Sequence, residues 1–461
     1  MLNIGKLAGL LCLVSCAHGA DRAPIEPHPG GVAHYTVTIF DNLGGARVRA
    51  CFAGLALAGL VPMDRSAARQ LRGAWIDGIP LETRDGRISL SPQTRHMCLE
   101  YETQFERSRF GLGDSSAVVV SQSQWLWRPE PFPQQVSTSV RFAVPGDGQV
   151  SLAWPRSDGA YQPNRNAFFV ETFGVFGTFD RQAFSVANTR VEVARLGATP
   201  LQRDVRRWLT RAVQTTASVG GRFPNDRLHF VIVPVDDPGA DVAFGMVRRG
   251  GGSSILLLPS VDAQVLELEA DWVAIHELSH LWLPRLQAKD RWLSEGIATY
   301  LQEVLRARCG LQSSDRAWSR IREGFERGRR SGSRQPLADE SRSMNRTGAY
   351  QRVYWAGTAF ALETDLRLRR LSNGESTLLT ALNDAQRNWR EEARLVSASR
   401  VLAALERASG ADFIAALGDR YAASSNFPDT SYADSPEYDD LRAQISAQVE
   451  GSCTVSGESS R

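Results

Sequence analysis

Hydrophobic and polar positions change rhythm along this chain. From about residue 35 to 195 they alternate in short runs: Tyr35-Thr36-Val37-Thr38-Ile39-Phe40, Arg47 to Phe52, Met97 to Phe105, Ala117 to Trp127, Val136 to Val144 and Val191 to Arg195. A period of two puts one face of a strand against a core and the other in water. Turn signals such as Asp85-Gly86 and Pro145-Gly146-Asp147-Gly148 separate the runs, and no helix-period stretch of useful length lies among them. The expectation is a β-sandwich over 35–195. An unrelated carbohydrate-binding or adhesion module would read the same way.

The period then becomes helical. Over 199–218 Leu201, Val205, Leu209, Val213 and Ala217 fall on one side. Two strand-like runs follow, Leu228 to Pro234 and Ser254 to Pro259, with a glycine-rich loop, Phe244 to Gly252, between them. His229, inside the first run, reads as structural. Next comes a helix with Ala274, Ile275, Leu278 and Leu281 as its apolar face and Pro284 as its stop. A second helical run begins at Trp292-Leu293-Ser294-Glu295. From 311 to about 450 the pattern is mostly helical, with a long helix from Thr358 to Arg370. The fold class is therefore an α+β multidomain protein: a β-rich part at 35–195, an α/β part at 196–310, a helical region at 311–450 and a polar tail at 451–461.

Chemistry concentrates in His276-Glu277-Leu278-Ser279-His280. Histidines four apart share one helix face and can hold one Zn²⁺ through their ring nitrogens. Glu277, about 100° of rotation past His276, stands where a general base toward metal-activated water belongs. Two core histidines on an apolar helix are the plainer alternative. No histidine follows His280, which excludes the metzincin pattern and leaves carboxylates as downstream ligands. Asp290 reads as a loop or capping residue. Glu295 opens the next helix, and a loop of about eight residues lets that helix fold back beside the first. Its alternative role is a first-turn glutamate favoured by the helix dipole.

H-E-L-S-H-L-W followed by W-L-S-E-G-I-A-T-Y resembles the gluzincin metallopeptidases, specifically the M1 and M61 aminopeptidase families. The resemblance implies His276, His280 and Glu295 as ligands of one zinc ion per chain and Glu277 as the base. It implies an N-terminal β domain and a thermolysin-like catalytic domain whose edge strand pairs with extended substrate. Fourteen residues separate His280 from Glu295, fewer than these families usually have. The stretch around Phe244-Gly245-Met246-Val247-Arg248 occupies the place of their G-x-M-E-N, which makes Gly245, Met246 and Arg248 candidate substrate contacts. Their glutamate there holds the substrate's α-ammonium, but no carboxylate occurs here between Asp241 and Asp262. Arg248 and Arg249 would repel an ammonium, or are simply solvated. Tyr354-Trp355-Ala356-Gly357 resembles their Y-x-K-G, with Ala356 in place of the lysine. By that likeness Tyr354 steadies the oxyanion; Tyr350 is the competitor, and a buried core aromatic the plain alternative. The resemblance is specific at 272–300 and around Tyr354.

Composition adds compartment. Lys6 precedes an apolar run, Leu7 to Val14, too short to span a bilayer and ending in Leu13-Val14-Ser15-Cys16. This reads as a lipoprotein signal over 1–16 with Cys16 lipidated, or as ordinary cleavage after Gly19 or Ala20, with a Pro/Gly-rich tether at 17–34. The protein is then exported, to the periplasm or outer membrane of a Gram-negative bacterium. Four further cysteines suit an oxidising compartment, and sequence proximity predicts the pairs Cys51–Cys98 and Cys309–Cys453. A net charge of +2 gives no reason to expect a nucleic-acid partner. The expected function is an exported zinc metallopeptidase acting on peptides or proteins, an aminopeptidase or an endopeptidase of the same fold. The contrasting reading is a non-catalytic zinc-containing binding or assembly lipoprotein.

Overall fold

The structure is a computed structural model that describes residues 31–90, 96–106, 116–197, 204–237, 239–332, 334–389, 394–449 and 453. The signal segment with Cys16, Leu201 and the tail apart from Cys453 lie outside these residues. The first strand, β1 (Val32–Ile39), begins inside the stretch expected to be tether.

An eight-stranded sheet comes first. Its inner part pairs β1 antiparallel with β2 (Gly45–Ala53), and β2 antiparallel with β3 (His96–Gln104). Cys51 and Cys98 face each other in that register and are disulfide-bonded. A three-stranded sheet of β4 (Ala117–Ser121), β5 (Gln149–Leu152) and β6 (Phe173–Gly177) packs against it. Val118, Val120, Leu152 and Phe176 join Tyr35, Tyr101 and Trp125 in one core. The opposite face, with Ala117, Val119, Phe173 and Val175, meets Ala194, Val231 and Leu256 of a third layer. Burial on both faces is why Ala117–Ser121 reads as a nearly continuous apolar run. The run expected to reach Trp127 stops at Ser121 and passes into a 3₁₀ turn, Gln122–Gln124.

The third layer is a five-stranded sheet in the order β7 (Asp180–Val186), β8 (Thr189–Arg195), β9 (Arg227–Ile232), β11 (Ser253–Pro259), β10 (Val242–Arg248). It corrects the sequence reading twice. Val191–Arg195, taken with the β-rich part, pairs in parallel with β9 and so belongs to this sheet; alternation alone does not say which sheet a strand joins. The glycine-rich loop is instead largely the edge strand β10, antiparallel to β11. Only its end, Gly250-Gly251-Gly252, makes the turn, and there an added side chain would collide with the backbone of Val170, Glu171 and Ala153 or with Trp154.

Helix α1 (Asp204–Ala217) and helix α2 (Val273–Ser279) cover the free face of this sheet through Val205, Leu209, Val213, Ala274, Ile275 and Leu278. His280 opens a 3₁₀ turn that ends at Trp282, before Pro284. The connection to α3 (Arg291–Arg308) is held by Asp290, whose carboxylate accepts from Ala398 N at 3.1 Å and so caps a later helix, Ala398–Ser409. Helices α4 (Ser314–Arg330) and α5 (Leu337–Thr347) follow. The long helix α6 spans Tyr350–Leu371, starting two turns before the expected Thr358.

Helices α3 and α6 pack closely at a pair of glycines. A Cβ on Gly296 would lie 2.1 Å from the Gly357 carbonyl carbon, and one on Gly357 would lie 2.0 Å from Trp292 O. One turn on, Tyr300 OH donates to Asp365 at 2.6 Å. Cys309 and Cys453 form the second disulfide. Among the described residues no helix is long and apolar enough to cross a membrane.

Candidate metal centre and active site

His276 sits in the second half of α2 and His280 one turn on, so their rings lie on one face with centroids 4.8 Å apart. Glu295, in the second turn of α3, comes to the same point. Each Nε2 is 3.4 Å from the same oxygen, Glu295 Oε2, and ligand atoms of the three residues all lie within 4.8 Å of one another. Nitrogens and oxygen arranged tetrahedrally at zinc bond lengths stand about 3.4 Å apart. That separation is long for a good hydrogen bond, and Glu295 Oε2 is buried with no hydrogen-bond partner among the described residues. An orphaned carboxylate oxygen facing two ring nitrogens is what a bound cation would resolve. The residues present fit one zinc ion.

The other ring nitrogens are engaged. His276 Nδ1 donates to Gln302 Oε1 at 2.8 Å, and His280 Nδ1 lies 2.9 Å from Ser294 Oγ. Gln302 Nε2 donates in turn to Glu303 Oε1 at 2.9 Å, and the other Glu303 oxygen accepts from Arg306 at 3.3 Å and Gln312 at 2.9 Å. These contacts fix ring orientation and leave both Nε2 lone pairs aimed at Glu295 Oε2. Sequence reasoning missed Gln302 and Ser294. The signal was present: Gln302 is seven residues past Glu295 on the same helix face, and Ser294 is its neighbour.

Electrostatics match a cation site. Burial would raise the Glu295 carboxyl, but the imidazoles of His280 and His276 hold it far below the usual carboxylate range. Burial opposes charge on His276, yet the neighbouring carboxylates of Glu295 and Glu277, with Gln302 on Nδ1, keep its pKa above the ordinary value. Glu277 is half-buried beside them. Burial raises its pKa; the two histidines and a hydrogen bond from Val247 N–H partly offset that.

The Tyr354 ring stacks on His276, with centroids 5.9 Å apart and planes at 12°. Burial, then the carboxylates of Glu295 and Glu277, push its phenol well above the ordinary pKa, so it is a proton donor at neutral pH. Tyr350, the competitor, is 40% exposed; its hydroxyl donates to Asn345 at 3.4 Å and its ring meets Tyr354 edge-on, 6.3 Å between centroids.

Of the three expected substrate contacts on the edge strand, only Gly245 faces α2; a Cβ there would lie 2.5 Å from Val273 and 2.7 Å from Glu277. The period of two turns Met246 and Arg248 to the opposite face. Met246 packs on the layer below, and Arg248 pairs with Glu171 and lies over the Phe173 ring, 5.0 Å from its centroid. Burial lowers the Arg248 pKa to about 10. Arg249, read as solvated or repelling, instead donates to Leu283 O at 2.6 Å and His280 O at 2.5 Å. It caps the carbonyl end of the histidine helix.

No family model and no curated protein matches the chain. Solved structures resemble it. An aminopeptidase N family protein from Idiomarina loihiensis superposes with a TM-score of 0.67 at 17% identity, over 86% of this chain and 76% of that one. Legionella pneumophila aminopeptidase A, solved with aspartic acid, gives 0.50 at 12% identity, over 86% of this chain and 49% of that one. The likeness is one of fold: an α+β multidomain architecture shared with aminopeptidases.

Proposed function

We propose that this protein is a zinc metallopeptidase that hydrolyses peptide bonds, with His276, His280 and Glu295 as ligands, Glu277 as general base and Tyr354 as oxyanion donor. The observation that carries this is the spacing of the three donor atoms around one orphaned carboxylate oxygen, flanked by a carboxylate and a phenol outside the ligand set. Fold likeness to an aminopeptidase N family protein supports it. A structural metal has no use for a base and a proton donor beside its ligands, which disfavours the non-catalytic reading.

Zinc, when bound, supplies Lewis acidity: it brings the pKa of water down to about 7 and polarises a carbonyl. Glu277 then accepts the proton of the attacking water and delivers it to the leaving amine. Tyr354 donates its hydroxyl hydrogen to the oxyanion as charge develops. The edge strand β10, at the margin of a thermolysin-like arrangement of strand, histidine helix and ligand helix, offers its free backbone groups to an extended substrate. Gly245 lets that backbone approach Glu277.

Aminopeptidase and endopeptidase remain two forms of this reading. Val247 stands where the families this sequence resembles place the glutamate that grips the α-ammonium, which removes the main argument for the first without favouring the second; its side chain packs on the core between the sheet and α2. Comparing free with N-acetylated peptides separates the two: an endopeptidase cleaves both. Glu277→Gln should keep zinc and lose hydrolysis by about a hundred- to ten-thousandfold; undiminished hydrolysis overturns the mechanism. Export with lipidation at Cys16 belongs to the same reading, and the two disulfides suit an oxidising compartment. Loss of membrane association in Cys16→Ser tests it.

A further inference from the structure

A cavity of about 410 Å³ adjoins the proposed zinc site. It shares two walls with that site, Tyr354 and Trp272, whose rings flank His276; Trp272 meets the imidazole edge-on at 5.6 Å. An occupant therefore borders the proposed site across those two side chains. Its volume falls within the ordinary range of ligand clefts.

The charges around it do not cancel. Glu303 is engaged by Gln302, Arg306 and Gln312. Glu323 accepts from Ser319 at 3.0 Å and lies 4.0 Å from Arg327. Arg327 also donates to Gln351 at 3.2 Å and lies over the Trp355 ring. Arg316 and Arg320 remain. They stand four apart on α4, so both project from one face. Neither guanidinium has an acidic partner within ion-pair distance among the described residues, and Arg320 Nε is shut off from water with no acceptor. A smaller cavity that shares Trp272, Arg316 and Arg320 with the first is also lined by Asp241 and Asp271. Neither aspartate reaches ion-pair distance of them, and burial holds the Asp271 pKa up to about 6. Two like charges one turn apart gain nothing for the helix by themselves. Two forked donors converging on a cavity suit a carboxylate.

We propose that Arg316 and Arg320 bind a carboxylate of the substrate in this cavity, an acidic side chain or the peptide's own C-terminus, and so set the specificity of the enzyme. The proposal rests on the peptidase reading above. The test uses the zinc-loaded full-length protein and matched peptides: Glu against Gln at each position flanking the cleaved bond, and free against amidated C-termini. One ratio of kcat/KM, acid over neutral, should exceed tenfold in the wild type and fall toward one in Arg320→Gln and Arg316→Gln, both checked for zinc content. A shift in the Glu/Gln ratio assigns the side chain; a shift in the free/amide ratio assigns the C-terminus. Ratios near one in the wild type, or ratios both variants leave unchanged, overturn the proposal. If zinc-loaded protein cleaves no peptide, the peptidase reading fails. The same ratios are then read as Kd for the same peptides by calorimetry, and equal affinities for acid and neutral partners overturn the carboxylate site separately.

Discussion

Replacing Gly357 by alanine tests how the site is assembled. Gly357 lies three residues past Tyr354, and the glycine it faces, Gly296, immediately follows Glu295. The alanine Cβ would stand 2.0 Å from Trp292 O and 2.8 Å from the Gly296 Cα, whereas real Cβ contacts essentially never fall under 3.0 Å. Backbone atoms cannot rotate aside as a side chain can. Helices α3 and α6 must therefore separate by about 1 Å, the scale at which misplacing a reacting group costs about a hundredfold in rate. Overpacking of this kind costs up to about 3 kcal/mol, and the helix propensity of alanine returns about 1 kcal/mol. The net loss is about 2 kcal/mol, or roughly 2 °C in the melting temperature of a chain of 461 residues. Because the gap opens between the carboxylate helix and the tyrosine helix, zinc affinity should fall as well, by about tenfold or more. Thermal unfolding, competition with a fluorescent zinc chelator and peptide hydrolysis read the three effects. Gly348→Ala is the control. That glycine has φ +73° and nothing within 4 Å of its Cβ position, so it should lose about 1 kcal/mol through backbone strain with zinc affinity intact. Gly357→Ala matching wild type in stability, affinity and rate would refute the argument that glycine contact sets the distance between Glu295 and Tyr354.

Tyr354→Phe keeps the ring against His276 and removes the hydroxyl; kcat should drop about a hundred- to thousandfold with zinc content unchanged, as measured in steady-state assays. Gln302→Leu removes the acceptor of His276 Nδ1 and should weaken zinc binding by about ten- to a hundredfold in chelator competition. Asp271 has a folded pKa raised from 3.8 to about 6 by burial, so the folded state binds more protons than the unfolded between those values and stability declines as pH rises through them. Asp271→Asn, which can still accept from Val273 N, should gain on wild type from pH 4 to 6 in denaturant titrations, and a constant difference would contradict the assignment.

How much was legible before the fold depended on the range of the interaction. His276 and His280 converge because of helix period alone, so any helix over 273–280 brings them together. The apolar face of Ala274, Ile275 and Leu278 announced that helix. Glu295 needed one further step, a short connection that returns the next helix. The disulfides needed only an even count and proximity. The edge strand was misread because Gly245 and the Gly250-Gly251-Gly252 run look like loop signals. Gly245 is small because α2 crosses there, a constraint imposed by residues nearly thirty positions away. The same limit hid the sides on which Met246, Arg248 and Arg249 fall. It also hid the membership of Val191–Arg195 in the five-stranded sheet.

By itself the sequence determined what each element is and which groups a single helix carries, because helix and strand periods act over a few residues. It therefore contained the two imidazoles, the Glu277 carboxylate between them and the carboxylate at the head of the next helix. Only the tertiary structure decided which distant groups meet them: the Tyr354 ring against His276, the Val247 N–H on Glu277, Gln302 and Ser294 behind the rings, and two arginines of α4 around a neighbouring cavity. Those meetings depend on how closely whole helices and sheet layers approach. That distance is set by packing between residues far apart in the chain, such as Gly296 against Gly357, and no local rhythm of apolar and polar positions encodes it.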